Sequence, residues 1–459
     1  MIKKSYEEWI SETFRQLPHG IEVIDNHLHF HKIDLNNLVR KYGSPLKLTY
    51  LPRIDSQISL ARTNFQKAFT NLGFKGAYKY AYCLKSNPLS FVVQKVLENK
   101  ADLEISSVAD AQIVLELFRL GKLGKTTLII CNGYKTTEYL EVIKALISEG
   151  HENVMPIIDT ESEIDAYNGW DLDINVGIRM HLEENENQTS RFGLTPTAIK
   201  RVSQLINPST SKIKLKMIHF FVFSGIEDTT EFWKKYDALI RQYIELKKQH
   251  ESLSMINIGG GFPVESSLDF DLQYEKISLR LVEQILFHVN EADIEHPDIV
   301  TEFGTYTVAG SYAYIFSILE HKPQNGLDNW YLFNGSIMNT MPDLWAMDLQ
   351  VPVLPLNRWD QPFLKVKLAG LTCDSVDFYD AKNTLHLPTN DPSDPLHVIF
   401  LNTGAYQEMV GGYRGINHCL IPSPRHLLIE SQVDSVNGII ISEYLPEQTH
   451  KEILDKLGY

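Results

Sequence analysis

The sequence predicts an α/β protein made of a (β/α)8 TIM-like barrel and a C-terminal β domain. Two observations carry this. Between about Pro45 and Gly304, short apolar runs alternate with longer stretches of helical period, the pattern of parallel βα units. After about Tyr306 the character changes to β-type runs punctuated by Pro and Asn. The expected division is a barrel over 45–309 and a β domain drawn from 1–44 and 310–459.

In chain order, the run His27-Leu28-His29-Phe30-His31-Lys32-Ile33 alternates like a strand but precedes the first barrel unit. It is expected to pair with the later β domain, which both chain ends then build. Nine strand candidates follow, at 46–51, 78–84, 102–106, 127–132, 155–159, 174–180, 215–223, 255–258 and 298–302. A barrel has eight places, so one of the nine lies outside the closed sheet. Helical stretches fit between them. The clearest covers 229–248, where Trp233, Tyr236, Leu239, Tyr243 and Leu246 recur at three- and four-residue steps and read as packing against the barrel. In the β domain the runs 363–368, 397–402, 419–421 and 438–441 read as strands.

Composition narrows the function. Hydrophobic residues make up 43% and charged residues 22%, ordinary for a folded globular enzyme, and 459 residues bury a sizeable core. A net charge of -15 argues against nucleic acid and anionic membrane surfaces and is compatible with cationic substrates. The four cysteines, Cys83, Cys131, Cys373 and Cys419, form no CxxC pair. That favours free thiols in a reducing, cytoplasmic compartment, and no metal site is expected. Acidic residues arrive before any apolar leader, and no segment gives 18 uninterrupted apolar residues, so no membrane partner is expected.

The chemistry sits at strand ends. In Tyr80-Ala81-Tyr82-Cys83-Leu84-Lys85-Ser86-Asn87-Pro88 an apolar stretch ends in a lysine and a turn, which places Lys85 at the face where barrel active sites lie. Apolar and aromatic neighbours favour the neutral amine that condenses with an aldehyde. Taken alone, an exposed lysine opening a βα loop is the plainer reading. Met255-Ile256-Asn257-Ile258-Gly259-Gly260-Gly261-Phe262 is a strand feeding three glycines, whose backbone N–H groups can cradle a phosphate. It is not the dinucleotide GxGxxG, and a rim turn is the bland alternative. Thr301-Glu302-Phe303-Gly304 ends another strand in a carboxylate, which facing a pyridine nitrogen keeps it protonated and suits decarboxylation.

Leu371-Thr372-Cys373-Asp374-Ser375, with Asp377 just beyond, offers a thiol that can protonate a carbanion and an aspartate that can hold a distal cation. A Cys-Asp pair is weak by itself, since buried cysteines are more often core. Tyr406 in Gly404-Ala405-Tyr406 can reach a phosphate or serve as a structural tyrosine. Arg179 offers a phosphate contact or an internal ion pair.

Read together, Lys85, Glu302, the triple glycine and Cys373-Asp374-Ser375 resemble, in order and context, the pyridoxal-phosphate amino-acid decarboxylases of the alanine-racemase-like, ornithine-decarboxylase-like barrel fold (fold type III). The resemblance covers nearly the whole chain. Three longer runs resemble the biosynthetic arginine decarboxylases: Ile130-Cys131-Asn132-Gly133-Tyr134-Lys135; Met341-Pro342-Asp343-Leu344-Trp345-Ala346-Met347-Asp348 followed by Val351-Pro352-Val353-Leu354-Pro355-Leu356; and Gly404-Ala405-Tyr406-Gln407-Glu408.

The resemblance implies that Lys85 holds pyridoxal 5'-phosphate covalently and that Gly259, Gly260, Gly261 and Tyr406 bind its phosphate. Glu302 pairs with the ring nitrogen, and Arg179 sits between barrel strand and cofactor. Glu104 and Asp110 match acidic positions near the cofactor. Phe221 and Ser224, in Ile218-His219-Phe220-Phe221-Val222-Phe223-Ser224-Gly225, match cofactor-facing positions. Cys373 and Asp374 enter the partner's active site in a head-to-tail homodimer; Asp374, with Asp343 and Asp377, holds the substrate's cation.

The departures are equally specific. Phe221 stands where the family usually has a stacking histidine, with His219 two residues earlier on the same strand face. Glu302-Phe303-Gly304-Thr305 replaces Glu-Pro-Gly-Arg and loses a cationic phosphate contact. Asn334-Gly335 lacks the aspartate typical of ornithine decarboxylases. The chain is also shorter than most biosynthetic arginine decarboxylases. The expected reaction is decarboxylation of a basic amino acid, arginine to agmatine before ornithine, lysine, diaminopimelate or carboxynorspermidine. A non-catalytic regulatory relative is the alternative from a different class, motivated by Phe221 and Thr305.

Overall fold

A computed structural model describes residues 4–182, 190–206, 212–222, 225–226, 229–323, 329–383, 385–407, 409–411, 417–431 and 438–459. The chain forms two compact units. One comprises residues 54–263 and 272–307, and the other residues 1–53, 264–271 and 308–459.

The first unit is a closed barrel of eight parallel strands: β1 (Tyr78–Cys83), β2 (Asp102–Ile105), β3 (Ile129–Cys131), β4 (Val154–Ile158), β5 (Ile174–Arg179), β6 (Ile213–His219), β7 (Met255–Asn257) and β8 (Asp298–Glu302). Each strand pairs with the next in sequence, and β8 closes onto β1 with Glu302 opposite Ala81. Ala81, Ile130, Met155, Ile157, Met217 and Val300 fill the interior with an apolar cluster. Several strands stop short of their predicted ends. β6 leaves the ladder at His219 rather than residue 223, because the backbone there turns into the loops that carry the site.

The intervening helices start on side-chain caps: Ser107, Thr136, Thr195 and Thr229 each accept a hydrogen bond from a backbone N–H of the first turn. Thr230–Lys247 buries Phe232, Tyr236, Leu239, Ile240, Tyr243 and Leu246, while Trp233 lies half-buried under the Arg280 guanidinium, 4.2 Å from its ring.

The second unit is a sheet whose main path runs Phe378–Tyr379, Phe363–Ala369, Asn329–Phe333, Tyr312–Lys322, Leu46–Tyr50, Arg425–Ser431, Ile439–Leu445. Leu46–Tyr50 is therefore the ninth candidate, the one outside the barrel. It runs antiparallel to Tyr312–Lys322 and parallel to Arg425–Ser431. Alternate residues of Tyr312–Lys322 face opposite cores, Ala313 and Ile315 into one, Tyr314, Phe316 and Ile318 into the other.

Two expectations change here. This unit draws on residues 1–53, 264–271 and 308–459, and its main sheet takes Leu46–Tyr50. The His27–Ile33 run instead divides into His27–Phe30 and Ile33–Asp34, which join Ile21–Ile24 in a three-stranded sheet of their own. The run 419–421 is not a strand. Cys419 and Leu420 have φ of 52° and 53°, left-handed backbone that no ladder accepts, in the turn His418–Leu420.

Candidate active site

Lys85 lies in the single 3-10 turn Leu84–Ser86 directly after β1. On the two neighbouring strands stand two carboxylates, Glu104 near the end of β2 and Glu302 at the end of β8. The Lys85 ammonium hydrogen-bonds Glu104 Oε2. Its side chain is 41% exposed whereas Glu104 is fully buried, so this amine is not the desolvated one its apolar neighbours suggest. Tyr82 and Leu84 are buried, whereas the turn releases Lys85 toward a buried anion.

Two asparagines organise the carboxylates. Asn132, one residue past β3, directs its Nδ2 at Glu104 Oε1 (3.0 Å) and at both oxygens of Glu302 (3.1 Å each). Asn257, ending β7, donates to Glu302 Oε1 at 2.7 Å, while its own Oδ1 accepts the N–H of Gly259 at 2.9 Å. His219, opposite Asn257 and Arg179 in the strand register, is buried with Nδ1 3.8 Å from Glu302 Oε1. Burial, reinforced by the Arg179 charge, pushes His219 down to about 3, so it is neutral at physiological pH. Asp110 accepts the N–H of Ser106 at 2.9 Å, and burial pushes its carboxyl up.

The triple glycine follows β7, and each position requires glycine. Gly259 and Gly261 have φ of +71° and +97°. A Cβ on Gly260 would lie 2.4 Å from the carbonyl oxygen of Glu302, and one on Gly261 2.7 Å from Gly225 Cα. Ile226 N–H donates to Gly261 O at 2.9 Å, tying the loops after β6 and β7 together. Among the described residues, no hydrogen bond uses the N–H of Gly260 or Gly261. Phe221 borders this turn, its Cδ2 3.4 Å from where a Gly259 Cβ would stand. Ser224 lies outside the described residues. Arg179, ending β5, is 4.0 Å from Asp159 Oδ1 and stacks 4.5 Å from the Phe192 ring, the internal ion pair weighed as its alternative.

The remaining expected residues belong to the sheet unit. Cys373 is exposed and Asp374 half-buried on one turn. Asp377 is buried and its oxygens are taken: Oδ2 accepts Thr372 Oγ1 (2.6 Å) and Oδ1 accepts Met338 N–H (3.2 Å). Asp343 is half-buried near the start of helix Pro342–Met347, and burial pushes its carboxyl up. Tyr406 has φ of 64°, and its carbonyl accepts the N–H groups of Met409 and Val410.

The family profile described as pyridoxal-dependent decarboxylase, pyridoxal binding domain, matches residues 55–309, more than half of the chain. The chain belongs to the pyridoxal-dependent decarboxylases. Among relatives of this decarboxylase, arginine decarboxylase 2 of Arabidopsis thaliana is 22% identical, over 95% of this chain and 77% of its own. The biosynthetic arginine decarboxylase of Bacteroides thetaiotaomicron is 22% identical over 93% of this chain and 86% of its own. Among solved structures, the biosynthetic arginine decarboxylase of Campylobacter jejuni superposes with a TM-score of 0.81 at 21% identity, covering 99% of this chain and 91% of that one. Diaminopimelate decarboxylase of M. jannaschii gives 0.77 at 18%, covering 95% and 97%. These structures share the fold, a barrel with a sheet domain.

The decarboxylase's cofactor is pyridoxal phosphate, and the barrel residues fit it. An amine stands at one strand end, a clamped carboxylate on the adjacent strand, and between the loops after β6 and β7 lies a glycine cradle that any Cβ would fill.

The sequence alone did not assign Asn132, Asn257 or the pair Lys135–Glu163. Lys135 is buried, 3.1 Å from Glu163 Oε2, and donates to the carbonyls of Gly133 and Ile157, bracing the loops after β3 and β4. The available signal was position: both asparagines sit at or just past a strand's carboxyl end, where barrel sites are built.

Proposed function

We propose that the chain converts L-arginine to agmatine and carbon dioxide, a step of polyamine synthesis, as a cytoplasmic homodimer with shared active sites. The observation that carries the substrate is that the relatives matched over 93% and 95% of the chain are arginine decarboxylases. The free cysteines fit a reducing compartment, and among the described residues no helix is long and apolar enough to cross a membrane.

When bound, pyridoxal phosphate supplies the electron sink that lets the substrate's α-carboxylate leave as carbon dioxide. Lys85 anchors it covalently, and Glu104, already hydrogen-bonded to that amine, accepts the proton the amine must lose to act as a nucleophile. Glu302 holds a proton on the ring nitrogen, with Asn132 and Asn257 fixing the carboxylate's plane. The N–H groups of Gly260 and Gly261 take phosphate oxygens, with Tyr406 adding a hydroxyl. Phe221, which borders the glycine turn, would lie against the ring. Its apolar face stacks where the family's usual histidine would also hydrogen-bond.

The Cys373 thiol, carried in from the partner subunit's copy of the turn, returns a proton to the carbon that lost carbon dioxide, and solvent restores the thiol. Asp374 and Asp343 receive the guanidinium, whose planar fork suits carboxylates. Asp377, with both oxygens engaged, instead fixes the turn on which Asp374 stands.

The test is carbon dioxide release by purified, cofactor-loaded protein from arginine, ornithine, lysine, diaminopimelate and carboxynorspermidine. Release from arginine at a kcat/KM well above the others is expected. Preference for another amino acid discards the substrate and keeps the chemistry; silence across the panel discards both in favour of a non-catalytic role.

A further inference from the structure

Outside the barrel site, one cluster of soft ligand atoms is assembled from two distant segments. Cys373 Sγ lies 3.4 Å from Cys419 Sγ and 3.9 Å from His418 Nε2, and the three atoms all lie within 4.8 Å of one another. For a tetrahedral zinc ion with ordinary Zn–S and Zn–N bonds, the ligand–ligand edges come to about 3.8 Å for sulfur–sulfur and about 3.6 Å for sulfur–nitrogen. The observed separations bracket these values, so small side-chain rotations suffice.

The juxtaposition is built into the fold. Both segments are pinned to the same short helix, Ile337–Thr340. The Asn339 amide donates to His418 O at 2.9 Å and accepts His418 N–H at 3.2 Å. One residue earlier, Met338 N–H donates to Asp377, whose other oxygen holds Thr372, next to Cys373. The left-handed φ of Cys419 aims its sulfur back at Cys373, and Cys419 Sγ also accepts the Cys373 N–H at 3.4 Å.

We propose that Cys373, His418 and Cys419 form a binding site for one thiophilic divalent cation of the zinc class, with water as fourth ligand, and that filling it withdraws the Cys373 thiol from catalysis. On binding, each thiol forms a sulfur–metal bond and releases one proton to solvent, and His418 coordinates through its Nε2 lone pair. In the single subunit both cysteines are exposed, which leaves the fourth position to a water, as in zinc sites that keep one. The inhibitory half rests on the role given to Cys373 above, whereas the binding half does not.

The experiment titrates the cofactor-loaded, full-length protein with cobalt(II) as spectroscopic probe and with zinc(II), under a non-coordinating reductant. Wild type should take up one cobalt with thiolate-to-metal charge-transfer absorption and the visible bands of tetrahedral coordination. Cys419→Ser and His418→Gln should each weaken binding at least about tenfold while keeping the uninhibited decarboxylation rate. Zinc should inhibit wild type at equimolar occupancy and spare both variants at that concentration.

Retention of the cofactor's visible absorption shows each variant folded, and two independent variants guard against one that does not fold. Absence of a thiolate–cobalt spectrum in wild type, or its survival in both variants, overturns the site. Cobalt bound with that spectrum but no zinc inhibition overturns the inhibitory half and, with it, the role of Cys373 as proton donor, leaving the site standing. A protein inactive on every amino acid removes the catalytic reading alone, because the cobalt spectrum still decides the site.

Discussion

Glu302 accepts hydrogen bonds from two amides, one ending β7 and one just past β3, with a neutral histidine beside it, so its orientation is set before any ligand arrives. In the role proposed for it, a carboxylate fixed this way would reorganise little when charge develops on the ring. Glu302→Gln is therefore expected to lower kcat by about 10²–10⁴-fold while the protein still takes up cofactor, read by carbon dioxide release beside cofactor absorbance. Unchanged turnover would remove Glu302 from the chemistry. Lys85→Ala should abolish turnover and covalent cofactor attachment together, checked by borohydride trapping, and an unaffected rate would sink the mechanism. Lys85, Glu302 and the glycines were legible in the sequence because each ends an apolar run. The partners that orient them were not: Asn132 and Glu302 meet across 170 positions, a closeness only barrel closure creates.

The glycine turn shows what can be read one level up. Three consecutive glycines after a strand announce close backbone approach, and the structure supplies the reason at Gly260, where the Glu302 carbonyl occupies the space of a side chain. Gly260→Ala must push the turn away from β8. A melting temperature lowered by an amount corresponding to about 1–3 kcal/mol is expected, with cofactor affinity falling in parallel. A variant melting like wild type and binding cofactor normally would show the turn to be slack. Strand interiors were legible from hydrophobic pattern. Ends such as that of β6 were not, since apolar residues continue through Phe220, Phe221 and Val222 after the ladder stops. The run 419–421 misled for a related reason: an apolar triplet says nothing of the left-handed turn that bends it.

Across the whole molecule, burial holds several histidines in neutral form, complete at His219 and His426 and partial at His31. Burial pushes His219 down to about 3, His31 down to about 4 with Arg53 contributing, and His426 well below its ordinary value. Each folded pKa lies below the unfolded one, so the unfolded chain binds more protons in acid and stability falls as pH drops below about 6.5. By pH 5, before most carboxylates titrate, His219 and His31 should each cost about 2 kcal/mol, with His426 acting in the same direction. Calorimetry from pH 7.5 to pH 5 should show a steadily falling melting temperature; a flat profile would contradict neutral burial. The barrel class was legible in the alternation of strands and helices. Which of nine strand candidates stood aside was not, because Leu46–Tyr50 is as apolar as its rivals and only its pairing distinguishes it.

That strand has a consequence for how the protein is made. Leu46–Tyr50 leaves the ribosome before any barrel strand, yet of its two sheet neighbours Tyr312–Lys322 comes after the last barrel strand and Arg425–Ser431 roughly a hundred residues later still. A nascent chain thus carries an unsatisfied apolar strand throughout synthesis of the barrel, a standing target for holding chaperones and for mispairing. Moving residues 4–53 to the carboxyl end through a flexible linker would place the strand near its partners in time as well as in space. Such a permuted chain should give a higher soluble yield without chaperone help.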